Sequence, residues 1–432
     1  MNRCLGPFVL LLAVVLAAGC GGETAKEAAS PPVLASEAAI AHRSPPPPVA
    51  PALATSGDAA VFDAQGLVPS LEAFGLALLE REAQANASGN VVISPVSIAD
   101  ALTMTLNGAR GETARQMHDA LCLGELSLEQ ADRSWAGLIA SAERKSDAEI
   151  RIANSLWLRQ GVAFEPDFLN ADRDYFAADA HALSDDGDKA AADINGWVEM
   201  RTGGRIRNLV ERIDALSPLV LVNATCVRAG WDYFEQRHTR EEPFVLASGE
   251  DVRVPMMHGE LHGSVTQTSA YLAVPLSANG RVGVTIVLPK AGETPESVLP
   301  MLTDGGLAAV SSGRDSRRYV VDLALPRFKA EFADDSVQTR LTELGMVRAF
   351  SSEAEFQGIA PGSLWIDQVI HKAILDIKEE GIEAAAGTAV VMYGAGPPTK
   401  HLSVRVDHPF IVIVNEGESG APLFMAVVRD PR

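Results

Sequence analysis

Two histidines, His258 and His262, lie four residues apart in the sequence HGELH. On a helix this spacing would place both imidazoles on one face, where they could share a metal ion. Gly259 between them and the strand-like VPMM before them disfavour a helix. We therefore interpret the two histidines as an exposed loop pair and expect no metal site.

A serine lies in a second candidate motif, GESGA at residues 417–421, which is close to the nucleophile elbow G-x-S-x-G of hydrolases. The last glycine and a following helix are missing, so a turn is the better interpretation. The sequence also lacks G-x-x-x-x-G-K-[ST], G-x-G-x-x-G, H-E-x-x-H and C-x-x-C. Because these motifs carry nucleotide, zinc-protease and thiol-redox chemistry, we expect neither an enzyme nor a cofactor.

The most informative segment, residues 378–400, has the sequence KEEGIEAAAGTAVVMYGAGPPTK. Its glycines, threonine and valines disfavour a helix. At a period of two residues, the face from Ile382 to Met392 carries no charge, and the other face carries only Glu383. Such a segment can become an interior strand. Residues 394–398, however, are typical of an exposed turn, and this combination indicates a conformational switch.

The elements that must position this segment are mixed. Helical spacing predicts helices at residues 69–86, 97–107 and 113–121. Strand-like runs lie at residues 149–158, 219–227, 282–288, 319–325, 369–377, 402–406 and 410–414. There is no regular βα alternation and no internal repeat. We therefore predict one large α+β domain over residues 60–432.

The N-terminus has the pattern of an export signal: Arg3, an apolar run at residues 8–16, and small residues before Cys20. The sequence LAAGC resembles the lipobox of bacterial lipoproteins, whose cysteine is acylated, although Leu16 lies four rather than three residues before the cysteine. An ordinary cleaved signal with a stray cysteine is the alternative. We expect residues 1–19 to be a signal peptide. The protein would then be a cell-envelope lipoprotein, held to a membrane only by lipid on Cys20, or a secreted protein.

Residues 20–59 are rich in alanine, glutamate, serine and proline, with four consecutive prolines. This composition cannot bury a core, so we predict a linker between the lipid anchor and the domain. If Cys20 is acylated and Cys4 is removed with the signal, Cys122 and Cys226 remain. The sequence leaves open whether they pair.

The charge of the chain limits its partners. The 432 residues include 36 basic and 56 acidic side chains, for a net charge of −20. Nucleic acids and heparin-like polyanions are bound by basic surfaces, so we expect neither as a partner. A hydrophobic content of 47% with 21% charged residues excludes a disordered chain.

Motifs along residues 60–432 resemble those of the serpin family, in the family's order. EEGIEAAAGTAVV is similar to the serpin hinge and reactive-centre loop. Other matches include NVVISPVSIADALTMTLNGARGET (90–113), LVNATCVRAGW (221–231), HKAILDI (371–377) and APLFMAVV (421–428). The chain is thus identified as a member of the family. The resemblance implies a monomeric serpin fold of mixed α+β type, with three β-sheets, about nine helices and an exposed reactive-centre loop.

The resemblance implies an inhibitor of serine proteases that acts as a suicide substrate. The protease attacks the exposed loop and forms a covalent acyl-enzyme, and the cut loop then inserts into the central sheet as a new strand. A cysteine protease is a further candidate partner. The alternative is a non-inhibitory protein of serpin fold that serves as a binding or chaperone-like module.

The resemblance assigns hinge residues individually. They are Glu379, Glu380, Gly381, Ile382, Glu383, Ala384, Ala385, Ala386, Gly387 and Thr388. Non-inhibitory serpins often have bulky, charged or proline residues in the small-residue stretch 384–387, and this chain has none there. Ile382 departs from the threonine or small residue common at its position. It is apolar and can be buried, and its effect on the rate of insertion is left open.

The resemblance also assigns residues beneath and beside the sheet opening. Ser94, Ser97, Asn223 and His371 match a polar cluster that would hydrogen-bond across the separating strands, and Trp231 matches the aromatic residue where the loop first enters. The alternative for the four polar residues is that they are simply hydrogen-bonded members of the core.

Counting along the loop from Gly381, as in the family, places the reactive bond at Ala395–Gly396, with its position open by one to three residues. The small Ala395, with Met392 and Tyr393 nearby, suits elastase-like, subtilisin-like or chymotrypsin-like proteases. The loop contains no arginine or lysine between Glu383 and Thr399, which disfavours trypsin-like targets.

Overall fold

A computed structural model of the chain describes residues 66–144, 146–214, 216–303, 305–312, 319–333, 337–382 and 400–432. These residues form nine α-helices and three β-sheets, as the resemblance implies. The helices are α1 (Leu67–Ala85), α2 (Pro95–Leu106), α3 (Gly111–Ala120), α4 (Leu128–Ala142), α5 (Pro166–Ala171), α6 (Gly187–Arg201), α7 (Pro295–Val298), α8 (Gly306–Ser312) and α9 (Val337–Glu343). Shorter pieces are a π-helical segment (Asp172–Phe176) and 3₁₀ turns (Gln236–His238, Leu299–Leu302 and Arg348–Phe350).

The described residues include sixteen strands. They are β1 (Val91–Ile93), β2 (Glu149–Arg159), β3 (Asp179–Leu183), β4 (Leu219–Gly230), β5 (Arg240–Val245), β6 (Asp251–Gly263), β7 (Thr266–Gln267), β8 (Tyr271–Ala278), β9 (Val282–Pro289), β10 (Tyr319–Pro326), β11 (Phe328–Ala333), β12 (Gln368–Lys378), β13 (Gly381–Ile382), β14 (Lys400–Arg405), β15 (Phe410–Glu416) and β16 (Pro422–Val428). No helix among these residues is long and apolar enough to cross a membrane.

The predicted helices and strands are confirmed to within a few residues at their ends. The loop interpretation of His258 and His262 is wrong, because both residues lie on the long strand β6. Strand β6 carries a proline, two glycines and several charged side chains, which obscure its alternation of buried and exposed positions. The turn predicted at residues 417–421 is confirmed between β15 and β16.

The central sheet has the strand order β11-β12-β13-β4-β2-β3. The second sheet has the order β1-β16-β15-β9-β8-β7, and the small sheet has the order β14-β10-β6-β5. The main hydrophobic core lies between α1, α2, the inner face of the central sheet and the second sheet. A smaller cluster packs α6 against the outer face of the central sheet. The inner face of the central sheet is therefore covered, whereas the outer face along β12 stays half-buried.

Helix α2 lies directly behind the central sheet, and its start is fixed locally. The Ser94 hydroxyl accepts a hydrogen bond from the backbone N–H of Ser97, and Pro95 occupies the first helical position. All twelve residues of α2 are buried. Since a helix without a solvent-exposed face must satisfy its polar side chains internally, each polar residue of α2 needs a partner in the surrounding structure.

A single arginine ties the C-terminal strand to the end of α1. The Arg429 side chain is 2% exposed and donates hydrogen bonds to the backbone oxygens of Ala83 (3.0 Å), Asn86 (3.0 Å) and Gly89. It also forms an ion pair with Glu296 at 2.6 Å. Carbonyls at a helix end lack intrahelical donors, so one guanidinium satisfies several acceptors that would otherwise be unpaired.

We predict that Arg429→Met lowers the free energy of unfolding by about 3 kcal/mol or more, because it leaves buried acceptors and Glu296 without their donor. Chemical denaturation of the full chain measures the change. Arg432→Met is the matched control: this arginine is 52% exposed and pairs with Asp430 at the surface, so we expect a change within about 0.5 kcal/mol. Equal effects of the two substitutions would contradict the prediction.

Candidate functional site

The central sheet is closed at one end and parted at the other between β4 and β12. At the closed end the two strands pair directly and in parallel, from Val220 opposite Gln368 to Ala224 opposite Lys372. Beyond that point, residues 225–228 and 373–376 do not pair with each other among the described residues. At the far end β13 lies between the two strands. In the described part of the chain the sheet is therefore open between these two strands, and Gly381 and Ile382 lie at the mouth of this opening.

Gly381 and Ile382 form the mouth of this opening. Ile382 pairs with Ile377 on β12 and Ala229 on β4, and it is 1% exposed. Gly381 has φ = +134°, and a Cβ there would lie 2.1 Å from the Ala229 carbonyl oxygen. Only glycine fits this backbone and this close approach. The apolar Ile382, which departs from the family pattern, is accommodated in the core of the sheet.

Trp231 holds the turn that leads into β13. Its backbone N–H donates to the Glu380 carbonyl oxygen (3.2 Å), and its indole Nε1–H donates to the Lys378 carbonyl oxygen (3.0 Å). The ring packs against Tyr233 and Phe234 at centroid distances of 6.3 and 5.8 Å. One buried aromatic residue thus fixes both ends of the turn between β12 and β13, one end through its backbone and the other through its indole.

Glu379 anchors the same turn from the other side. Its carboxylate is buried, accepts a hydrogen bond from the Thr239 hydroxyl at 2.7 Å, and lies 3.7 Å from the Arg327 guanidinium. Glu380, its neighbour, is exposed. No sequence motif pointed to Thr239 or Arg327, because they reach Glu379 from elements 140 and 52 residues away.

The four predicted polar residues meet at the closed end of the opening, where all are buried. The Ser97 hydroxyl donates to Asn223 Oδ1 (3.1 Å), and His371 Nδ1–H donates to the same oxygen (2.8 Å). The Ser94 backbone N–H donates to His371 Nε2 at 3.2 Å, which requires the proton of a neutral imidazole to be on Nδ1. The His371–Asn223 bond joins β12 to β4 where they stand opposite each other.

A fourth contact, which the motifs did not identify, extends this cluster across the sheet. Asn154 on β2 stands opposite Asn223 on β4, and its Nδ2–H donates to the carboxyl of Asp100 on α2. Burial raises the pKa of Asp100 well above its ordinary value, and the bond from Asn154 only partly opposes this. We call this row the polar seam; its members are Ser94, Ser97, Asp100, Asn154, Asn223 and His371. The spacing of Ser94, Ser97 and Asp100 on an otherwise apolar helix was an available signal.

The strand that follows the hinge segment is held in the small sheet by a buried carboxylate. Glu242 on β5 forms ion pairs with Arg405 of β14 and with Arg240, and it lies 2.9 Å from His258 Nε2. Burial alone would raise the pKa of Glu242, but the bonds from Arg240, Arg405 and His258 outweigh burial and hold the pKa at about 2. His258 therefore serves this ion cluster, and the described residues contain no group of three acidic, histidine or cysteine side chains that could hold a metal ion.

Other assigned residues lie outside the described part of the chain. They are Cys20, Glu383, Ala384, Ala385, Ala386, Gly387, Thr388, Ala395 and Gly396. Cys122 and Cys226, whose pairing was open, are not joined by a disulfide bond in the structure.

Comparison with known proteins connects this geometry to a family. A family model described as "Serpin (serine protease inhibitor)" matches residues 69–431. An uncharacterised serpin-like protein of Thermococcus kodakarensis is 34% identical over 80% of this chain and 82% of its own length. Human serpin B3 is 29% identical over 79% of this chain and 94% of its own length.

Solved structures show the same fold. The thermophilic serpin tengpin in its native state has a TM-score of 0.74 at 26% identity, covering 85% of this chain and 94% of its own. Thyroxine-binding globulin in complex with thyroxine has a TM-score of 0.75 at 26% identity, covering 85% and 99% of the two chains. The chain therefore belongs to the serpin family, whose members are in general protease inhibitors rather than enzymes.

Proposed function

We propose that this protein inhibits serine proteases as a suicide substrate, by inserting its cleaved loop into the central sheet. The observation that carries the proposal is the pairing of Gly381 and Ile382 between β12 and β4. These two residues start a strand that the sheet can extend, because the next backbone positions of β4 and β12 face each other without direct pairing among the described residues. Membership of the serpin family supports protease inhibition in general.

The register of Ile382 predicts a partner for each residue that follows. Continued without a shift, it brings Ala384 opposite Leu375 and Val227, whose side chains are buried on the inner face of the sheet. Small side chains there enter the core without a clash. Ala385 alternates to the outer face, opposite the half-buried Ile374.

The same register brings Thr388 to the closed end of the opening. It would stand opposite both His371 and Asn223, which are paired with each other before insertion. Asn223 Nδ2 has no acceptor among the described residues, and the Thr388 hydroxyl would supply one. A strand inserted this far would therefore replace the interstrand His371–Asn223 bond with new hydrogen bonds of its own.

Insertion can supply the energy that trapping requires. Each new backbone hydrogen bond contributes about 1 kcal/mol net and each buried apolar side chain about 1–3 kcal/mol, so a full strand gives on the order of 20 kcal/mol. That exceeds the roughly 5–15 kcal/mol that keep a typical protein folded. A protease joined to the loop as an acyl-enzyme could thus be distorted, and loss of one oxyanion-hole donor slows deacylation about 10²–10³-fold. The ester would remain trapped.

The proposed reactive bond is Ala395–Gly396, and the proposed targets are elastase-like, subtilisin-like or chymotrypsin-like serine proteases. The small Ala395 and the absence of arginine and lysine around it support this choice. A cysteine protease is a secondary target class, since its acyl-enzyme forms in the same way.

A second candidate function is ligand binding without inhibition. The likeness to thyroxine-binding globulin in its thyroxine complex favours it, since that serpin fold holds a small molecule. Against it stand the small, uncharged residues 384–387, which suit insertion.

We further propose that the protein is exported. The export pattern of residues 1–19 and the lipobox-like sequence at Cys20 support a lipid-anchored protein, with residues 20–59 as its linker.

We predict that the full chain, incubated with pancreatic-type elastase, forms a complex that survives boiling in detergent and runs at the summed masses. The ester bond of the acyl-enzyme resists denaturation, which is why the band persists. Sequencing the released C-terminal fragment should give Gly396 as its first residue. Cleavage without a complex, repeated with subtilisin and chymotrypsin, would exclude the inhibitor and leave the binding function.

We predict that Ala384→Arg converts the protein from an inhibitor into a substrate, because the guanidinium would have to be buried opposite Leu375 and Val227. Ala385→Arg is the matched control, since its side chain points to the outer face and can reach water past Ile374. The measurement is the number of inhibitor molecules cleaved per protease trapped. It should rise at least about tenfold for Ala384→Arg, a change of about 1.4 kcal/mol in partitioning, and much less for Ala385→Arg. The reverse order of the two variants would refute the register.

A further inference from the structure

Three aspartates from three different elements come together behind the polar seam. Asp100 lies on α2, Asp132 on α4 and Asp172 at the start of the π-helical segment, and they are 0%, 4% and 2% exposed. Asp132 accepts a hydrogen bond from Asn107 Nδ2 at 3.0 Å, and Asp100 accepts one from Asn154. We call these three residues the carboxyl cluster. It adjoins the opening of the sheet but takes no part in the proposed reaction with the protease.

Three of the carboxylate oxygens in the carboxyl cluster lack donors among the described residues. Neither oxygen of Asp172 has a hydrogen-bond partner among the described residues, and the same holds for Asp100 Oδ1 and Asn154 Oδ1. Burying a carboxylate without donors or a counter-ion is costly, whereas a protonated carboxyl is neutral and is itself a donor. The unmatched acceptors therefore favour a carboxyl cluster that holds a proton.

In the described part of the chain, no positive charge faces Asp172 from the elements packed on its segment, since Arg133 of α4 is exposed and pairs with Glu129. Those elements are α2, α4 and α5. The first two present Asp100 and Asp132, and the titratable residue of α5, Asp167, is exposed. On the segment itself, Arg173 and Asp174 are exposed and pair with each other at 3.0 Å.

The proton affinities agree with this geometry. Burial, followed by the nearby Asp100 and Asp132, raises the pKa of Asp172 to about 8. Burial raises the pKa of Asp132 to about 6 in spite of its bond from Asn107. Near pH 7 the carboxyl cluster is therefore only partly ionised, and it titrates within the range that an exported protein can meet.

The carboxyl cluster acts on the moving part of the sheet through Asp100. Strands β2 and β4 are paired from Glu149 to Leu158 and so move together. The Asp100–Asn154 contact fastens α2 to these two strands, beside the place where β4 must leave β12. Like charges in the carboxyl cluster repel strongly at low local dielectric and would push α2, α4 and the π-helical segment apart.

We propose that the carboxyl cluster holds a proton that keeps the polar seam closed. As the pH rises, this proton is released to water, and the closed native form becomes less stable. Asp172 is a positioning residue here, since it acts through Asp100 and α2. The sign follows from linkage. An acid whose pKa is raised by folding contributes its full stability below its unfolded pKa, near 4, and loses that stability as the pH rises through its folded pKa.

The test is thermal unfolding of the full chain at a constant scan rate from pH 5 to pH 9, for the natural protein and for Asp172→Asn. Asparagine imitates the neutral carboxyl and breaks no hydrogen bond. The variant should melt at most about 2 °C higher at pH 5, where only the unfolded carboxyl has ionised, and about 5 °C or more higher at pH 9. A difference that does not change with pH would overturn the proposal.

Asp174→Asn is the matched control, because it removes an exposed carboxylate two residues away. It should follow the pH dependence of the natural protein. Infrared spectroscopy gives a direct readout: the stretching band of a protonated carboxyl should be present at pH 7 in the natural protein and weaker in Asp172→Asn. Absence of the band from the natural protein would refute the proposal even if the variant folded poorly.

The consequence for protease trapping rests on the proposed function. The ratio of the trapping rate of the natural protein to that of Asp172→Asn cancels the pH dependence of the protease. It should be near one at pH 5 and rise severalfold by pH 8. If neither protein traps a protease, the proposed function fails, while the melting and infrared results still decide the proposal on the carboxyl cluster. A flat ratio in proteins that do trap would overturn the link to insertion.

Discussion

The rest of the site depends on one constraint: the backbone groups on the facing edges of β4 and β12 need hydrogen-bond partners. Backbone N–H and C=O groups inside a sheet require partners, and between Ala224 and Ala229 these two strands do not supply them to each other among the described residues. One end is closed by the His371–Asn223 bond, and the other is occupied by Gly381 and Ile382. The proposed function requires that one more strand can pair with these two edges and lower the energy of the sheet. The hinge, the polar seam and the carboxyl cluster are all placed around that unfinished pairing.

Much of this could be predicted from local sequence. Periodicity gave α2 and the strands β4 and β12, and the small residues after Gly381 indicated a strand that could enter a sheet. Ser94, Ser97, Asn223 and His371 were assigned by resemblance, and hydrogen bonds join them in the structure. These features depend on residues close together in the chain or on motifs with a fixed residue spacing. A single sequence was therefore sufficient to predict them.

Other parts of the site depend on contacts between distant residues whose types are ordinary. Thr239 and Arg327 give no sign in sequence that they hold Glu379, and Asp172 looks like any surface aspartate until the fold buries it. His258 was misinterpreted because its strand mixes proline, glycine and charge, and only the buried Glu242 explains its position. Burial decides the role of each of these residues, and burial is a property of the whole chain.

The ion cluster of Glu242 with Arg405 has a consequence for how often the molecule can work. Residues 383–399 connect β13 in the central sheet to β14 in the small sheet. The strands on both sides of this segment are therefore held in sheets, and the Arg405–Glu242 ion pair also holds β14. With β14 held there, a complete new strand requires a broken peptide bond, and hydrolysis of that bond is not reversed in water. Under the proposed function, the energy of insertion would therefore be released once, after one cut, and each copy of the protein would be consumed in a single use.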